Sequence, residues 1–291
     1  MGFRTVVIKN RAKLDYKMDY LVVRSEEEVK RIYLDEISIL IVESTAVSLT
    51  SYLLAELVKK KIKVIFCDEQ RNPISELCSF YGSHNTSRKV REQIKWNEET
   101  KKFVWAEIIR AKISGQISNL PADMISVSEK MSSYLPEIKP GDETNREGHA
   151  AKIYFNALFG MSFSRSDENF INAALNYGYS IVLSAFNREI TANGYLTELG
   201  IAHDNMFNPF NLSCDFMEPF RPFVDREVLQ MEHDKFDHED KIRLVNVLNS
   251  IVKIDDKKQY LNNAIHIFTL SVIDALSEND ISKIKFPAYE L

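Results

Sequence analysis

Short runs of aliphatic and β-branched residues, separated by polar clusters, open the chain and predict β-strands. The clearest runs are Thr5–Ile8, Tyr20–Val23 and Ser38–Val42. In Val47–Ile62 the apolar residues instead recur at helical spacing, and the segment ends in lysines that suit a helix C-terminus. A further buried strand is predicted at Val64–Asp68. The pattern therefore predicts a small, mainly β first part with one helix.

From Gly82 onward the apolar residues recur every three or four positions, and Gly and Pro rarely interrupt them. The predicted helical segments include Glu239–Ile254 near the end of the chain. We therefore predict an α+β protein with a β-rich N-terminal domain at 1–82 and a larger all-α domain at 87–291. A short polar link at Gly82–Thr86 joins the two domains.

The composition is that of an ordinary globular chain, since 45% of the 291 residues are hydrophobic and 27% are charged. No run of about 18 apolar residues is present to span a membrane, and the N-terminus MGFRTVVIKN lacks the features of a signal peptide. We expect a cytoplasmic protein. The cysteines Cys67, Cys78 and Cys214 have no short paired spacing, so we expect buried free thiols rather than a disulfide framework or a zinc site.

The net charge of −5 counts against nucleic-acid binding, but the charge is unevenly distributed. The segment between residues 84 and 113 contains eight basic residues and only four glutamates. The basic residues are Arg88, Lys89, Arg91, Lys95, Lys101, Lys102, Arg110 and Lys112. We expect the helix from Arg88 to Lys112 to supply part of a surface for a polyanion.

Two residues of the helical part are candidate functional residues when each is judged from its local sequence alone. Glu147 lies in the first turn of a predicted helix whose N-cap is Asn145, although the helix dipole favours a glutamate there without any function. His203 follows a predicted helix that ends at Gly200, so it lies in a loop, where it is either a functional or an ordinary surface histidine.

The stretch CDFMEPFRPFVD places two carboxylates three residues apart. Asp215 and Glu218 share one face if the stretch is helical, and the prolines Pro219 and Pro222 limit that helix. A capping role or an exposed acidic pair is the alternative. Arg221 is expected either to pair with an acid or to contact a phosphate, and the sequence leaves both open.

A glutamate on a helix, a loop histidine and an acid 15 residues beyond it could converge on a divalent cation. Ligands rich in carboxylates favour Mg²⁺ or Mn²⁺ over zinc, and the single histidine favours Mn²⁺ slightly. Such an ion can bind a phosphate and activate a hydroxyl in phosphoryl transfer.

Four motifs, NREGHAAKIYF, LNYGYSIV, GIAHDN and DFMEPFRPFVD, stand in this order along the chain. Together they resemble the CRISPR-associated integrase, the catalytic subunit of the complex that acquires new spacers, in the form typical of type II systems. The resemblance covers essentially the whole chain. It implies a β N-terminal domain, a helical catalytic domain, and Glu147, His203 and Glu218 as the catalytic metal ligands.

The resemblance also implies roles for residues around these ligands. Asp215 matches an acidic position close to the site, and Tyr177 matches a tyrosine that positions DNA, with packing in a helix core as its alternative. The candidate DNA contacts are Arg88, Lys89, Arg91, Arg146 and Asn176.

The implied reaction is integration, in which the 3′-hydroxyl end of a short DNA fragment attacks a phosphodiester at a CRISPR repeat. The implied assembly is a homodimer formed by the β domains, with two dimers bridged by a small partner subunit and with contacts to other type II CRISPR proteins. Two alternatives stay open. One is a stand-alone nuclease that hydrolyses DNA with water as the nucleophile, and the other is a non-catalytic DNA-binding scaffold whose acids are structural.

Overall fold

The computed structural model describes residues 4–77, 79, 85–231 and 235–289 of the chain. The chain divides into two compact units, Met1–Thr86 with Thr191–Gly194, and Ser87–Ile190 with Tyr195–Leu291. The predicted link at Gly82–Thr86 lies mostly outside the described residues.

The first unit contains two four-stranded sheets and one helix. Its elements are β1 (Arg4–Ile8), β2 (Ala12–Lys17), β3 (Tyr20–Arg24), β4 (Val29–Tyr33), β5 (Ile37–Val42), β6 (Val47–Leu49), α1 (Ser51–Lys59), β7 (Lys63–Cys67) and β8 (Pro73–Leu77). One sheet has the order β1-β5-β7-β8, with β1, β5 and β7 parallel and β8 antiparallel. The other has the order β4-β3-β2-β6.

The apolar runs of the first unit form one core. The central strand β5, ISILIV, is buried along its whole length, as expected of a strand with neighbours on both edges and covered faces. Leu40 from this strand, Leu14 and Leu21 from the second sheet, and Leu53 and Leu57 from α1 are all fully buried in that core.

The helix predicted for Val47–Ile62 is shorter than expected, because Val47–Leu49 forms strand β6, which pairs in parallel with β2. Thr50 is the N-cap, and its hydroxyl accepts a hydrogen bond from the Leu53 backbone N–H, which starts α1 at Ser51. The strands β2 and β4 were not predicted, because charged residues interrupt their apolar pattern.

The second unit is mainly helical. Its helices are α2 (Thr86–Gln93), α3 (Glu98–Ser118), α4 (Ile125–Tyr134), α5 (Arg146–Phe159), α6 (Phe170–Ala192), α7 (Asn211–Met217), α8 (Arg221–Leu229), α9 (His238–Asn246) and α10 (Leu261–Glu278). Helix α3 packs against α4, α5, α8 and α10. A cluster of phenylalanine rings supports the core. Phe186 and Phe268 contact Phe220 at centroid distances of 5.0 and 5.3 Å.

The predicted α+β class is confirmed, with a strand-rich N-terminal region and a helical region after it. The helical region is not all-α, because a small antiparallel sheet of β9 (Ile251–Ile254), β10 (Lys257–Tyr260) and β11 (Ala288–Tyr289) lies in it. Asp255 and Asp256 both have positive φ angles, of 53° and 58°, which is the conformation of a two-residue hairpin turn. The turn lets β9 pair with β10, so the last four residues of the segment predicted as helix, Ile251–Ile254, form a strand.

The basic segment forms two helices rather than one. Helix α2 ends at Gln93, and Asn97 caps α3 by accepting hydrogen bonds from the Glu99 and Thr100 backbone N–H groups. Among the described residues no helix combines the length and apolarity needed to cross a membrane. Of the cysteines, Cys67 is buried as predicted, Cys214 is partly exposed, and Cys78 lies outside the described residues.

Close packing explains the glycine of the NYGY motif. A Cβ at Gly178 of α6 would overlap Val224 Cγ1 and approach Leu244 Cδ2 to 3.2 Å. We therefore expect Gly178→Ala to lower the free energy of unfolding by about 2 kcal/mol, although alanine is the better helix former. Urea denaturation followed by circular dichroism measures this change.

The control for Gly178 is the double variant with Val224→Ala, which removes the methyl groups that block the new side chain. We expect Gly178→Ala to cost at least about 1 kcal/mol less in that background. An equal cost in both backgrounds would contradict the packing explanation.

Candidate active site

Glu147 is held at the N-terminus of α5 by two side chains that satisfy the first backbone N–H groups of the helix. The Asn145 amide oxygen accepts from the Gly148 N–H at 3.1 Å, as the sequence predicted. Asp142, which was not predicted, accepts from the Arg146 and Glu147 N–H groups at 2.9 Å each. The N-terminus of α5 is therefore capped without the carboxylate of Glu147, which is 30% exposed.

Glu218 lies where α7 ends, in the 3₁₀ turn Glu218–Phe220. The prolines fit this junction, because Pro219 and Pro222 occupy first-turn positions of the 3₁₀ turn and of α8, where no intrahelical N–H is needed. The Glu218 side chain is only 3% exposed, and the Arg221 Nε–H donates to its Oε1 at 2.8 Å. Of the two roles open for Arg221, the structure therefore shows the acid pair.

The Lys112 ammonium lies between the two glutamates. Its Nζ is 2.5 Å from Glu147 Oε1 and 2.5 Å from Glu218 Oε2, and the Lys112 side chain is 8% exposed. The contact with Glu218 Oε2 is an ion pair without the angle of a hydrogen bond. Lys112, which was predicted to face DNA, therefore joins α3 to the two carboxylates.

These charges shift the pKa values of the buried groups. Burial would raise the pKa of Glu218, but Arg221 and Lys112 outweigh it and hold this pKa at about 2. Burial likewise opposes the charge of Lys112, but Glu218 and Glu147 outweigh it and raise the pKa of the ammonium. Glu218 and Lys112 are therefore both charged at neutral pH.

His203 lies in a loop, as predicted, and Asp215 fixes its orientation. The Asp215 carboxylate is fully buried and accepts the Ile201, Ala202 and His203 backbone N–H groups at 2.6, 3.1 and 3.0 Å. Its Oδ1 also lies 2.6 Å from His203 Nδ1. With Nδ1–H donated to Asp215, the Nε2 lone pair is the ligand position of the ring.

The surroundings of His203 connect it to the glutamates. The hydrogen bond that the His203 Nδ1–H donates to Asp215 raises the pKa of His203, and burial opposes the rise. The charges of Glu218 and Glu147 add to the rise. The ring also meets Trp105 edge-on at a centroid distance of 5.7 Å. Within α7 and its C-cap, Asp215 and Glu218 stand three residues apart in helical backbone, and the Asp215 carboxylate is directed at the loop before His203.

The loop before His203 requires a glycine at position 200 because of close packing, which was not predicted from the sequence. Residues 195–200 are not helical, so Gly200 does not follow a helix as predicted. A Cβ at Gly200 would overlap the His203 carbonyl oxygen and would lie 2.8 Å from Asp215 Oδ2. Gly200 therefore allows the loop to close tightly around the Asp215 carboxylate.

The donor chemistry of the cluster fits a divalent ion. Glu147 and Glu218 offer carboxylate oxygens and His203 offers Nε2, a set that suits Mg²⁺ or Mn²⁺. In the part of the chain that the structure describes, no three His, Cys, Asp or Glu side chains stand close enough to hold an ion as they are. The Lys112 ammonium instead supplies the positive charge between the glutamates.

A second buried network, not predicted from the sequence, adjoins the cluster through Arg221. The Tyr179 hydroxyl donates to Asp225 Oδ1, and the Arg221 guanidinium lies 4.5 Å from the Tyr179 ring centroid. Arg165 lies over the same ring at 5.5 Å. Burial raises the pKa of Asp225 to about 6, against the partly opposing effects of Tyr179 and Arg221.

The raised pKa of Asp225 gives a pH-dependent stability. Because the folded state binds this proton more tightly than the unfolded state, stability falls as pH rises from about 4 to about 6, and the penalty is complete above 6. We expect Asp225→Asn to raise the free energy of unfolding above pH 6 by about 2 kcal/mol. The gain should vanish near pH 4 when urea denaturation is measured at both pH values. A gain independent of pH would contradict the assignment.

The structure gives the other predicted residues different environments. Tyr177 is 4% exposed and packs against Phe236, as in the core-packing alternative, and it is Tyr179 that contacts Arg221. Arg146 pairs with Glu137 at 2.9 Å. Asn176 is exposed and accepts a hydrogen bond from Arg165.

The predicted basic surface is exposed in part, with exposed side chains in α2, at Lys95 after it and at Lys102 of α3. Arg88 is 79% exposed beside Glu92, Arg91 is exposed, and Lys89 lies 5.5 Å from the Tyr195 ring centroid. In α3, by contrast, Arg110 donates to the Leu135 and Ile138 carbonyl oxygens, so its charge faces the protein.

The fold and the site define a class: a two-part α+β protein whose helical part carries paired carboxylates and an oriented histidine. Residues 5–262 match the family described as "CRISPR associated protein Cas1". This match covers most of the chain, and the chain therefore belongs to the Cas1 family.

The comparisons include one curated relative and two solved structures. The "CRISPR-associated endonuclease Cas1" of Neisseria meningitidis serogroup C (strain 8013) is 34% identical over 233 residues, covering 79% of this chain and 76% of the relative. A "Casposase bound to integration product" has a TM-score of 0.73 at 19% identity and covers 100% and 95% of the two chains. A "Cas6-RT-Cas1--Cas2 complex" has a TM-score of 0.74 at 16% identity, covering 97% of this chain and 36% of the other. At these identities the structural likeness is one of fold.

Proposed function

We propose that the chain is a metal-dependent DNA integrase of CRISPR adaptation. It joins the 3′-hydroxyl ends of short DNA fragments to a CRISPR repeat by transesterification. The observation that carries the proposal is the meeting of Glu147 and Glu218, from separate elements, at one cationic group, Lys112 Nζ. Such a pair of acids, one of them buried, with an oriented histidine beside it, suits phosphoryl transfer by a bound cation better than it suits a structural role.

In this proposal Glu147, Glu218 and His203 Nε2 hold Mg²⁺ or Mn²⁺. When bound, the ion would stabilise charge on the phosphate oxygens and on the leaving oxygen. Asp215 holds the His203 ring in place through Nδ1, and Arg221 holds Glu218 through Oε1. A protein nucleophile is unnecessary, because the 3′-hydroxyl of the DNA attacks the phosphate.

Proteins with this fold support integration and a partner subunit. A casposase with this fold was solved with an integration product, and a Cas1 chain with this fold was solved with Cas2. We propose that this chain likewise forms homodimers through its first unit, that a small Cas2-like subunit bridges two dimers, and that other type II CRISPR proteins join them. Because its target is repeat DNA in the chromosome, we propose that it acts in the cytoplasm.

The edge of the second sheet supports a dimer contact in the first unit. Among the described strands β4 pairs only with β3, in the order β4-β3-β2-β6, so the described sheet ends there. Val29, Tyr20 and Tyr33 at this end are 56%, 40% and 38% exposed. An exposed strand edge with large apolar side chains is suited to pairing with a second chain.

We also propose that α2 binds the DNA backbone. Changing Arg88, Lys89 and Arg91 together to Gln should weaken binding to a short duplex and lower the slope of log Kd against log salt by about 2. Fluorescence anisotropy at several salt concentrations measures both quantities.

The matched control for α2 changes three lysines at the far end of the sequence, Lys253, Lys257 and Lys285, two of which pair with acids. This variant should keep the wild-type slope. If the α2 variant has an unchanged slope, or if both variants lose the same amount, α2 is not the DNA-binding element.

The second candidate is a nuclease that hydrolyses DNA, and it is favoured by the Neisseria relative, which is named an endonuclease. The same residues would serve, with water in place of the 3′-hydroxyl. A strand-transfer assay separates the two reactions. A labelled duplex with 3′-hydroxyl ends, a plasmid carrying a repeat, the small partner and Mn²⁺ or Mg²⁺ are incubated together. Label joined to the plasmid supports integration, and shortened label alone supports hydrolysis.

A further inference from the structure

The Lys112 ammonium occupies the position between Glu147 and Glu218 where the two carboxylates would hold a metal ion. Lys112 projects from α3, and its Nζ lies 2.5 Å from an oxygen of each carboxylate in a site where Glu218 is 3% exposed. Lys112 and Arg221 together balance the charges of Glu147 and Glu218, so the cluster is neutral without any ion.

We propose that Lys112 is a built-in competitor of the divalent ion, an inference that rests on the metal site of the proposed function. In the metal-free protein its ammonium keeps Glu147 and Glu218 together, where the buried Glu218 carboxylate and the partly buried Glu147 carboxylate would otherwise repel each other. An ion that takes the glutamates must displace the ammonium, since two cations in a buried site repel strongly.

The side chain and its surroundings suit this exchange. The four-carbon stem of a lysine can move its ammonium away while the backbone of α3 remains fixed. Arg221 cannot replace Lys112 in this role, because it is held on the other oxygen of Glu218, Oε1, and lies over the Tyr179 ring. Lys112 is therefore a positioning residue that sets how tightly the ion binds.

Two substitutions at Lys112 should change metal affinity in opposite directions. Lys112→Met keeps the length of the stem and removes the charge, so Mn²⁺ should bind at least about 10-fold more tightly than to the wild type. Lys112→Arg keeps a permanent charge that can bond both carboxylates through its planar fork, so Mn²⁺ should bind more weakly. Isothermal titration calorimetry of the full chain with MnCl₂ alone, without DNA, measures both.

Thermal unfolding gives a second readout. Lys112→Met should have a lower Tm than the wild type without metal, because the glutamates lose their counter-charge. Mn²⁺ should raise its Tm by more than it raises that of the wild type. If Lys112→Met does not fold, the weaker binding expected of Lys112→Arg decides the question.

Two control variants separate the possible failures. Lys101→Met removes a lysine of the same helix that pairs with Glu98 in an exposed i,i+3 pair, and it should leave Mn²⁺ affinity unchanged. Glu147→Gln should weaken Mn²⁺ binding. If Glu147→Gln weakens binding but Lys112→Met leaves it unchanged or weaker, the competitor role is wrong and the metal site stands. If Glu147→Gln has no effect, the metal site itself is wrong and the inference falls with it.

Discussion

Glu218→Gln should abolish strand transfer, lowering its rate by at least about 10³-fold, or on the order of 4 kcal/mol. The reason is that Glu218 is the more buried of the two glutamates, at 3% exposure, and is held by both Lys112 and Arg221. The amide has the same shape but neither the charge nor the second acceptor oxygen. Joining of a labelled DNA end to a repeat-bearing plasmid in Mn²⁺ is the measurement.

The matched control for Glu218 is Glu227→Gln. Glu227 lies on the following helix, α8, and pairs with Arg243 at 2.8 Å at 25% exposure, apart from the cluster. It should keep wild-type strand transfer. Joining by Glu218→Gln within tenfold of the wild type, in a variant that unfolds at a similar temperature, would mean that the acid pair does not carry the reaction.

Asp215→Asn should lower both stability and activity. Its carboxylate accepts three backbone N–H groups and the His203 Nδ1–H, all while fully buried. An amide presents an NH₂ group to some of these donors, which leaves them without acceptors and should cost about 3 kcal/mol of unfolding free energy. The histidine also loses its orientation, which should lower strand transfer about 10- to 100-fold.

Asp204→Asn is the control for Asp215, because Asp204 is adjacent to His203 but exposed. It should change the unfolding free energy by less than about 0.5 kcal/mol and leave strand transfer unchanged. Chemical denaturation and the strand-transfer assay measure the two effects. A stable and fully active Asp215→Asn variant would show that the loop around His203 does not depend on this carboxylate.

The first-turn position of Glu147 could be predicted from local patterns, since an N-cap asparagine and helical spacing act over a few residues. His203 does lie in a loop, but the helix ending at Gly200 from which this was predicted is absent. The end of the helix before β9 could not be predicted, because the apolar pattern of Glu239–Ile254 continues past Asn246, where α9 ends. Ile251–Ile254 is a strand because it pairs with β10 across the turn at Asp255 and Asp256. Local propensity does not show where a helix gives way to a strand when the apolar pattern continues across the boundary.

The role of Lys112 depends on tertiary structure, yet the sequence contains a signal that this lysine is buried. Lys112 follows the buried residues Ile108 and Ile109 at helical spacing, and Gln116 continues the same stripe. A lysine on an apolar stripe predicts a buried charge that needs an acid. Which acids it meets could not be predicted, because Glu147 and Glu218 are 35 and 106 residues away in the sequence and meet it only through packing.

We would next collect diffraction data at the manganese absorption edge from crystals of the full chain soaked in MnCl₂. We expect one anomalous peak between Glu147, Glu218 and His203 Nε2, with the Lys112 ammonium moved away from the glutamates. A protein that holds manganese elsewhere, while Lys112 still bridges the two glutamates at full occupancy, would contradict the proposed site.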